Sequence, residues 1–191
     1  MSARNLLALS GAVVVGISGT AATAEGLYFG AYAGFASLED LDFDIPSSTD
    51  DGYVLGAVIG TELTENLRIE GELSYEDGSG EYEGKGGSTD FDVSTLSLLG
   101  NAWVDFDTGS GLNPYVGGGV GVARVSIDDG ISDESDTGFA YQVGFGARFG
   151  RAEEFDLGYR YRSLSAEVDG FTSEAIDYDS HMLQFRWTGR F

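Results

Sequence analysis

The stretch His181-Met182-Leu183-Gln184-Phe185-Arg186-Trp187-Thr188-Gly189-Arg190-Phe191 ends the chain and decides its fold. Large apolar side chains stand at its odd positions, and polar or charged ones stand at its even positions. The two sets are Leu183, Phe185, Trp187 and Phe191, and Gln184, Arg186, Thr188 and Arg190. Because successive side chains of a β-strand point to opposite faces, the stretch predicts a strand with one apolar and one polar face. Such a strand suits a wall between lipid and a polar lumen.

The same alternation recurs in seven earlier segments. They cover residues 27–35, 53–63, 68–75, 96–106, 114–123, 141–149 and 155–162. Short polar stretches at 64–66, 107–111 and 150–154 connect some of these segments, and long stretches connect the others. Strict alternation of long and short connections predicts an all-β fold, namely an eight-stranded antiparallel up-and-down transmembrane β-barrel.

The first 24 residues have the form of a secretory signal peptide. Arg4 supplies a positive charge, residues 6–17 are mostly apolar, and Ala22-Thr23-Ala24 offers a small-residue cleavage site. The apolar stretch is too short for a transmembrane helix, which needs about 20 residues. We therefore predict a signal peptide over 1–24, cleavage after Ala24, and one barrel domain over 25–191.

The negative charge is concentrated in four stretches. Of the 32 acidic residues, 22 lie within 39–51, 76–92, 128–136 and 167–179, where Lys85 is the only base. We interpret these stretches as four long loops outside the membrane. Nucleic acid is excluded as a partner, because phosphate binding needs concentrated Lys and Arg. The absence of cysteine excludes disulfides and thiolate metal sites.

Acids and bases nearly balance on the predicted lumenal faces. They are Arg68, Arg148, Arg160, Arg162 and Arg186, and Glu62, Glu70, Glu72, Asp105 and Asp156. The interior of an eight-stranded barrel is about wide enough for its own side chains. We therefore expect these groups to pair across the lumen and plug it, with Arg160 facing Glu70 or Asp156. The alternative is a narrow ion-conducting pore lined by the same charges.

Catalysis is a weaker alternative. A hydrolase acting on lipid A would need a nucleophile and a base, and His181 is the only histidine. Its neighbour Ser180 would point to the opposite face of the strand. We predict no catalytic residues and no cofactor. A soluble ligand-binding barrel is also disfavoured, because its outward aromatic side chains would be wetted.

The first acidic stretch bears on metal binding. Asp40-Leu41-Asp42-Phe43-Asp44 places carboxylates at alternate positions, as hard-cation sites often do. It lacks the glycine turn and the later glutamate of a regular calcium loop. We assign no metal site, and divalent cations at the acidic loops stay an open alternative.

Six segments together resemble a known family. They are Gly52-Tyr53 with Gly56 and Gly60, Arg68-Ile69-Glu70, Asn101-Ala102-Trp103-Val104-Asp105-Phe106, Pro114-Tyr115-Val116-Gly117, Ala140-Tyr141-Gln142-Val143-Gly144 and Gly158-Tyr159-Arg160-Tyr161-Arg162. In this order they look like successive strands of the eight-stranded porin-family outer-membrane proteins, the OmpA/OmpX and opacity-protein group. The resemblance covers the whole predicted mature chain.

The resemblance implies an integral protein of a Gram-negative-type outer membrane, with a structural or cell-surface interaction role. The implied partners are outer-membrane lipid, lipopolysaccharide and the barrel assembly machinery. In this family the terminal aromatic residue, here Phe191, serves as an assembly signal. The peptidoglycan-binding domain of full-length OmpA-type proteins has no counterpart after the closing strand, so anchoring through that domain is not expected.

We predict that Phe191→Ser impairs insertion although it removes no lumenal group. The measurement is the folded fraction in outer membranes, read from heat-modifiable gel mobility. Phe149→Ser is the matched control, because it removes the same side chain from the outward face of another strand. A folded fraction equal to that of the unaltered chain would count against the assembly signal.

Overall fold

The computed structural model describes residues 26–38, 47–49, 52–84, 87–128, 133–150, 154–167 and 175–190. Nine strands form one sheet. They are β1 (Leu27–Leu38), β2 (Ser47–Thr49), β3 (Gly52–Thr64), β4 (Leu67–Gly84), β5 (Gly87–Asp105), β6 (Leu112–Asp128), β7 (Asp133–Gly150), β8 (Glu154–Glu167) and β9 (Ala175–Arg190). No helix long and apolar enough to cross a membrane occurs among these residues.

Eight of the strands close on themselves. Each long strand pairs antiparallel with its neighbours in the chain, and β9 returns to pair with β1 from Tyr28↔Arg190 to Leu38↔Ser180. The short strand β2 pairs only with the end of β4, from Ser47↔Tyr82 to Thr49↔Gly80. The structure therefore confirms the predicted closed eight-stranded antiparallel up-and-down barrel.

The two ends of the barrel differ in length. At one end, which we call the turn end, β3 and β4 are joined by residues 65–66, and β5 and β6 by residues 106–111. Gly109 and Gly111 adopt positive φ there, which glycine tolerates without steric cost. At the opposite, hairpin end the paired strands run much further, to Gly84↔Gly87, Asp128↔Asp133 and Glu167↔Ala175.

These extensions correct one prediction. The acidic stretches 76–92 and 128–136 are largely strand, not loop, because β4 and β5 continue through the first and β6 and β7 enter the second. Apolar alternation marks a strand only where one face is apolar. Beyond the membrane both faces are polar, while backbone hydrogen bonds continue the ladder without any apolar pattern.

The outside of the barrel is apolar. Large side chains such as Phe35, Ile59 and Phe145 point outward and are 57–76% exposed. A soluble protein rarely shows such a continuous apolar surface, whereas a transmembrane barrel needs one. Neighbouring aromatic residues pack on this surface, for example Phe29 on Trp187, with ring centroids 5.2 Å apart.

Glycines on the inside make room for tyrosines. Tyr28 and Tyr115 are each less than 3% exposed. A Cβ atom at Gly60 would lie 2.6 Å from the Tyr28 ring, closer than packed atoms tolerate. A Cβ at Gly146 would similarly meet the Tyr115 hydroxyl. The narrow barrel therefore has room for these two tyrosine side chains because the facing positions are Gly60 and Gly146, which have no side chain.

Candidate functional site: the lumen

All ten lumenal residues predicted from the sequence point inward. Eight of them are at most 5% exposed: Arg68, Glu70, Glu72, Asp105, Asp156, Arg160, Arg162 and Arg186. Glu62 and Arg148 lie at the turn end, with side chains 30% and 13% exposed. The alternation of the strands thus places charged groups from β3, β4, β5, β7, β8 and β9 in one narrow space.

Glu70 lies at the centre of the first ionic layer. Its carboxylate lies 2.7 Å from Arg68 Nη1 and 3.0 Å from Arg186 Nη1. It also accepts hydrogen bonds from Tyr28 Oη at 2.8 Å and Trp103 Nε1 at 2.9 Å. A buried carboxylate loses its hydration shell, so it is stable only where such donors replace water. Two arginines and two neutral donors do so here.

Both arginines bind a second carboxylate. Arg186 Nη2 lies 2.6 Å from Asp156 Oδ2, and Tyr115 Oη donates to Asp156 Oδ1 at 2.7 Å. Arg68 Nε lies 2.6 Å from Asp105 Oδ2. Acids and bases therefore alternate across the lumen in the order Asp105, Arg68, Glu70, Arg186, Asp156. Each like-charged pair is separated by an opposite charge, which is the arrangement that a poorly hydrated interior requires.

The contacts of Arg160 differ from those predicted. Its guanidinium carbon lies 4.0 Å from the centroid of Trp103, and Nη2 donates to Tyr115 Oη at 3.2 Å. The sequence indicates an ion pair with Glu70 or Asp156, but Arg186 bridges both of those carboxylates. A guanidinium can instead lie over an aromatic face, where the ring quadrupole attracts the cation.

A second ionic layer lies closer to the hairpin end. Arg162 Nη2 lies 2.8 Å from Glu72 Oε1. Tyr32 and Asn101 donate to Glu72 at 2.8 Å, and Gln142 donates to it at 3.0 Å. The Gln142 side chain also accepts from Arg162 at 3.0 Å, so this layer is a continuous hydrogen-bond network across the barrel.

Sequence reasoning misses one buried acid. Glu76 falls in the second acidic stretch, yet it lies inside the lumen at 2% exposure, with Oε2 3.6 Å from Arg162 Nη1. The signal is present in the parity of β4, because Glu70, Glu72 and Glu76 all occupy even positions. Grouping Glu76 with its acidic neighbours hides that parity.

Apolar side chains fill the lumen at and beyond the level of Glu72, toward the hairpin end. Register places Leu99 opposite Glu72 and Val54 opposite Glu76. Two buried clusters form this apolar lid. One contains Val93, Leu99, Ala123, Ala140, Leu164 and Tyr178, and the other contains Tyr32, Ala36, Val54, Val58 and Met182. The lumen is therefore occupied by three successive layers, two ionic and one apolar.

A wetter group of charges surrounds the turn end. Arg190 Nη2 lies 2.8 Å from both Glu62 and Glu154, and its side chain is 34% exposed. Arg148 Nη1 lies 3.3 Å from Glu154 and 3.9 Å from Glu62. Glu154 is absent from the predicted set because it falls in a predicted turn, and Arg190 is absent although it lies on the predicted polar face of the closing strand.

The described residues provide no evident catalytic pair or metal centre. Ser180 is buried in the lumen, whereas His181 points outward between Tyr159, whose hydroxyl it hydrogen-bonds, and Tyr161. Within the described ranges no three His, Asp or Glu side chains are placed to hold a metal ion. The Asp40-Asp42-Asp44 motif, the Ala24 cleavage site and Phe191 lie outside those ranges.

A closed barrel with an apolar outside and a lumen filled by its own side chains defines a small transmembrane barrel. The family of the outer membrane protein beta-barrel domain matches residues 7–191. The chain therefore belongs to this family and is an integral protein of the Gram-negative outer membrane. A search of curated protein sequences gives no match.

Solved structures share the fold. Neisserial surface protein A (NspA) is 24% identical over 87% of this chain and 97% of its own, with a TM-score of 0.60. OprG from Pseudomonas aeruginosa is 17% identical over 87% of this chain and 97% of its own, with a TM-score of 0.51. The outer membrane enzyme PagL is 18% identical over 83% and 97%, with a TM-score of 0.43, which is too low to bear on chemistry.

Two arginines of β9 provide a matched comparison of buried and exposed ion pairs. We predict that Arg186→Met lowers the free energy of unfolding by about 3 kcal/mol, because it leaves Glu70 and Asp156 buried without their shared cation. Arg190→Met should cost less than about 1 kcal/mol, since water screens its pairs at the turn end. The midpoint of urea unfolding measures both. Equal shifts of the urea midpoint in the two variants would show that the first ionic layer is as hydrated as the charges at the turn end.

Proposed function

We propose that the protein is a non-conducting outer-membrane barrel with a structural or cell-surface interaction role. The observation that carries this proposal is the bridge from Arg68 through Glu70 to Arg186, which crosses the lumen with all three residues at most 4% exposed. A permeating ion would have to displace these partners. Breaking a buried ion pair costs several kcal/mol, so the bridge opposes conduction.

The layers act in series. An ion that passed the first layer would next meet Arg162 with Glu72, and then the apolar lid around Leu164 and Met182. Apolar constrictions oppose ion passage because they hold no ligands for the ion. Charges that line an open pore would instead be hydrated and only loosely paired. The close contacts of 2.6–3.0 Å in the lumen favour the plug over the narrow ion-conducting pore.

The surface role rests on the hairpin end. In barrels of this kind the short turns face the periplasm, which places the long hairpins outside the cell. β4 and β5 remain paired as far as Gly84↔Gly87, well beyond the apolar outer band. Most of the net charge of −22 belongs to these segments. They offer a hydrophilic and anionic surface, which suits polar or cationic partners and, in our proposal, divalent cations.

No catalytic role is included in the proposal. One support is that Ser180 and His181 lie on opposite faces of β9. The other is that the His181 ring hydrogen-bonds the Tyr159 hydroxyl and packs against the Tyr161 ring. We further propose that outer-membrane lipid and lipopolysaccharide contact the apolar outside, and that the barrel assembly machinery inserts the chain. The lipid contact agrees with the exposed outward side chains of every long strand.

Planar-bilayer recording tests the closed lumen. We predict near-zero conductance for the purified barrel. The positive control is the triple variant Arg162→Gly, Leu164→Gly, Arg186→Gly, which removes the shared cation of the first ionic layer, the arginine of the second layer and one side chain of the apolar lid. It should conduct once heat-modifiable mobility shows that it is folded.

Stepwise unitary currents from the unaltered barrel would contradict the proposal. If Arg160→Ala then also changed the cation preference of those currents without moving the urea midpoint, the pore would be the better description. Lipid A analysis of cells with and without the protein provides a separate test of catalysis. A change in acyl chains that depended on His181 would contradict the absence of an enzyme activity.

A further inference from the structure

The outward faces of the strands change from apolar to polar at a defined level near the hairpin end. On β6 the change falls after Val122, and on β7 it falls before Phe139, two side chains that are 51% and 55% exposed. The first polar outward residues are Ser37 on β1, Asp77 on β4, Ser94 on β5, Arg124 on β6, Thr137 on β7 and His181 on β9. This level marks the boundary between acyl chains and lipid headgroups.

Arg124 is exceptional among these boundary residues. Six of the ten Lys and Arg residues, namely Arg68, Arg148, Arg160, Arg162, Arg186 and Arg190, belong to the lumen and its turn-end mouth. Arg4, Lys85 and Arg151 are not among the described residues. Within the described chain, Arg124 is therefore the one Lys or Arg on the outward surface, and it is exposed.

One hydroxyl contacts the Arg124 guanidinium, and further hydroxyl residues share its outward face. Arg124 Nη2 donates to Ser135 Oγ at 2.7 Å, across the β6–β7 ladder. Thr137 is its direct partner in register, and Ser126 lies one outward position further along the same strand. Ser94 is in turn paired with Ser126. The guanidinium carries five N–H donors, and the bond to Ser135 engages one while holding the group against this hydroxyl-rich surface.

We propose that this surface, made of Arg124, Ser126, Ser135 and Thr137, binds a phosphate group of an outer-leaflet lipid. Guanidinium and hydroxyl donors together match the oxygens of a phosphate, and Arg binds it bidentately. The acyl chains of the same lipid would lie on Val122 and Phe139 directly below.

Charge complementarity places the lipid phosphate on this side of the barrel. On β4 and β9 the boundary carries outward acids, Asp77 and Asp179. These carboxylates accept hydrogen bonds from Tyr75 and Tyr161 and would repel a phosphate. At the level of Ser94, Arg124 and Thr137 the β5–β7 side offers the anion a guanidinium and hydroxyls, and the next outward residue on β5 is the exposed acid Asp92. The proposal is independent of whether the lumen conducts.

Native mass spectrometry of the full barrel in detergent, titrated with lipid A that carries both phosphates, tests the site. EDTA is included so that divalent cations cannot bridge lipid to the acidic hairpins. We expect Arg124→Gln to weaken binding about tenfold, the effect of losing one charge-assisted contact. Lipid A without phosphates should bind both proteins equally. Heat-modifiable mobility confirms that each variant is folded.

A charge-relocating variant separates a defined site from net charge. Arg124→Gln combined with Ser37→Arg keeps the total charge and moves the base to the boundary position on β1. We expect this double variant to bind as weakly as Arg124→Gln. Full recovery of binding would overturn the site, because any boundary base would then suffice. Unchanged affinity in Arg124→Gln would overturn it as well.

Discussion

A barrel of eight strands must neutralise every charge it encloses, because its interior has almost no room for water. Glu70 shows how this constraint is met. Its carboxylate contacts Arg68, Arg186, Tyr28 and Trp103, which come from four different strands. Shifting any of these strands out of register would remove at least one partner of this buried carboxylate. The ionic layer therefore links strand pairing, the stability of the barrel and the closure of the lumen.

The apolar outside and the charged inside play different parts. Outward residues such as Ile59 and Phe145 bring the barrel into lipid but specify little about register, because one apolar neighbour replaces another at small cost. Buried hydrogen-bonded charges are more demanding. A two-residue slip of β9 would separate Arg186 from both Glu70 and Asp156. We infer that the lumenal pairs select one register, while the lipid-facing side chains supply the general preference for a membrane.

Parity along each strand predicts much of this arrangement. It places Arg68 and Glu70 on one face of β4 and Arg186 on the matching face of β9, before any coordinates are known. Parity cannot say which groups meet across the barrel, because that depends on tilt and stagger. Arg160 therefore contacts Trp103 in place of a carboxylate. Glu76 follows the parity of β4 but is hidden among the acids that come after it. The long hairpins escape prediction because polar residues occupy both strand faces beyond the membrane and erase the alternation.

A double-mutant cycle on unfolding free energy for Glu70→Gln and Arg186→Gln measures the pairing across the lumen. Glu70 and Arg186 lie 116 residues apart in the chain, and their side chains meet only if the barrel closes and the lumen is filled. We predict that the double variant is at least about 2 kcal/mol more stable than the sum of the single effects, because each single variant deprives the remaining buried charge of one of its two ionic partners. Additive effects would contradict the plugged lumen, since they would mean that water already separates the two groups.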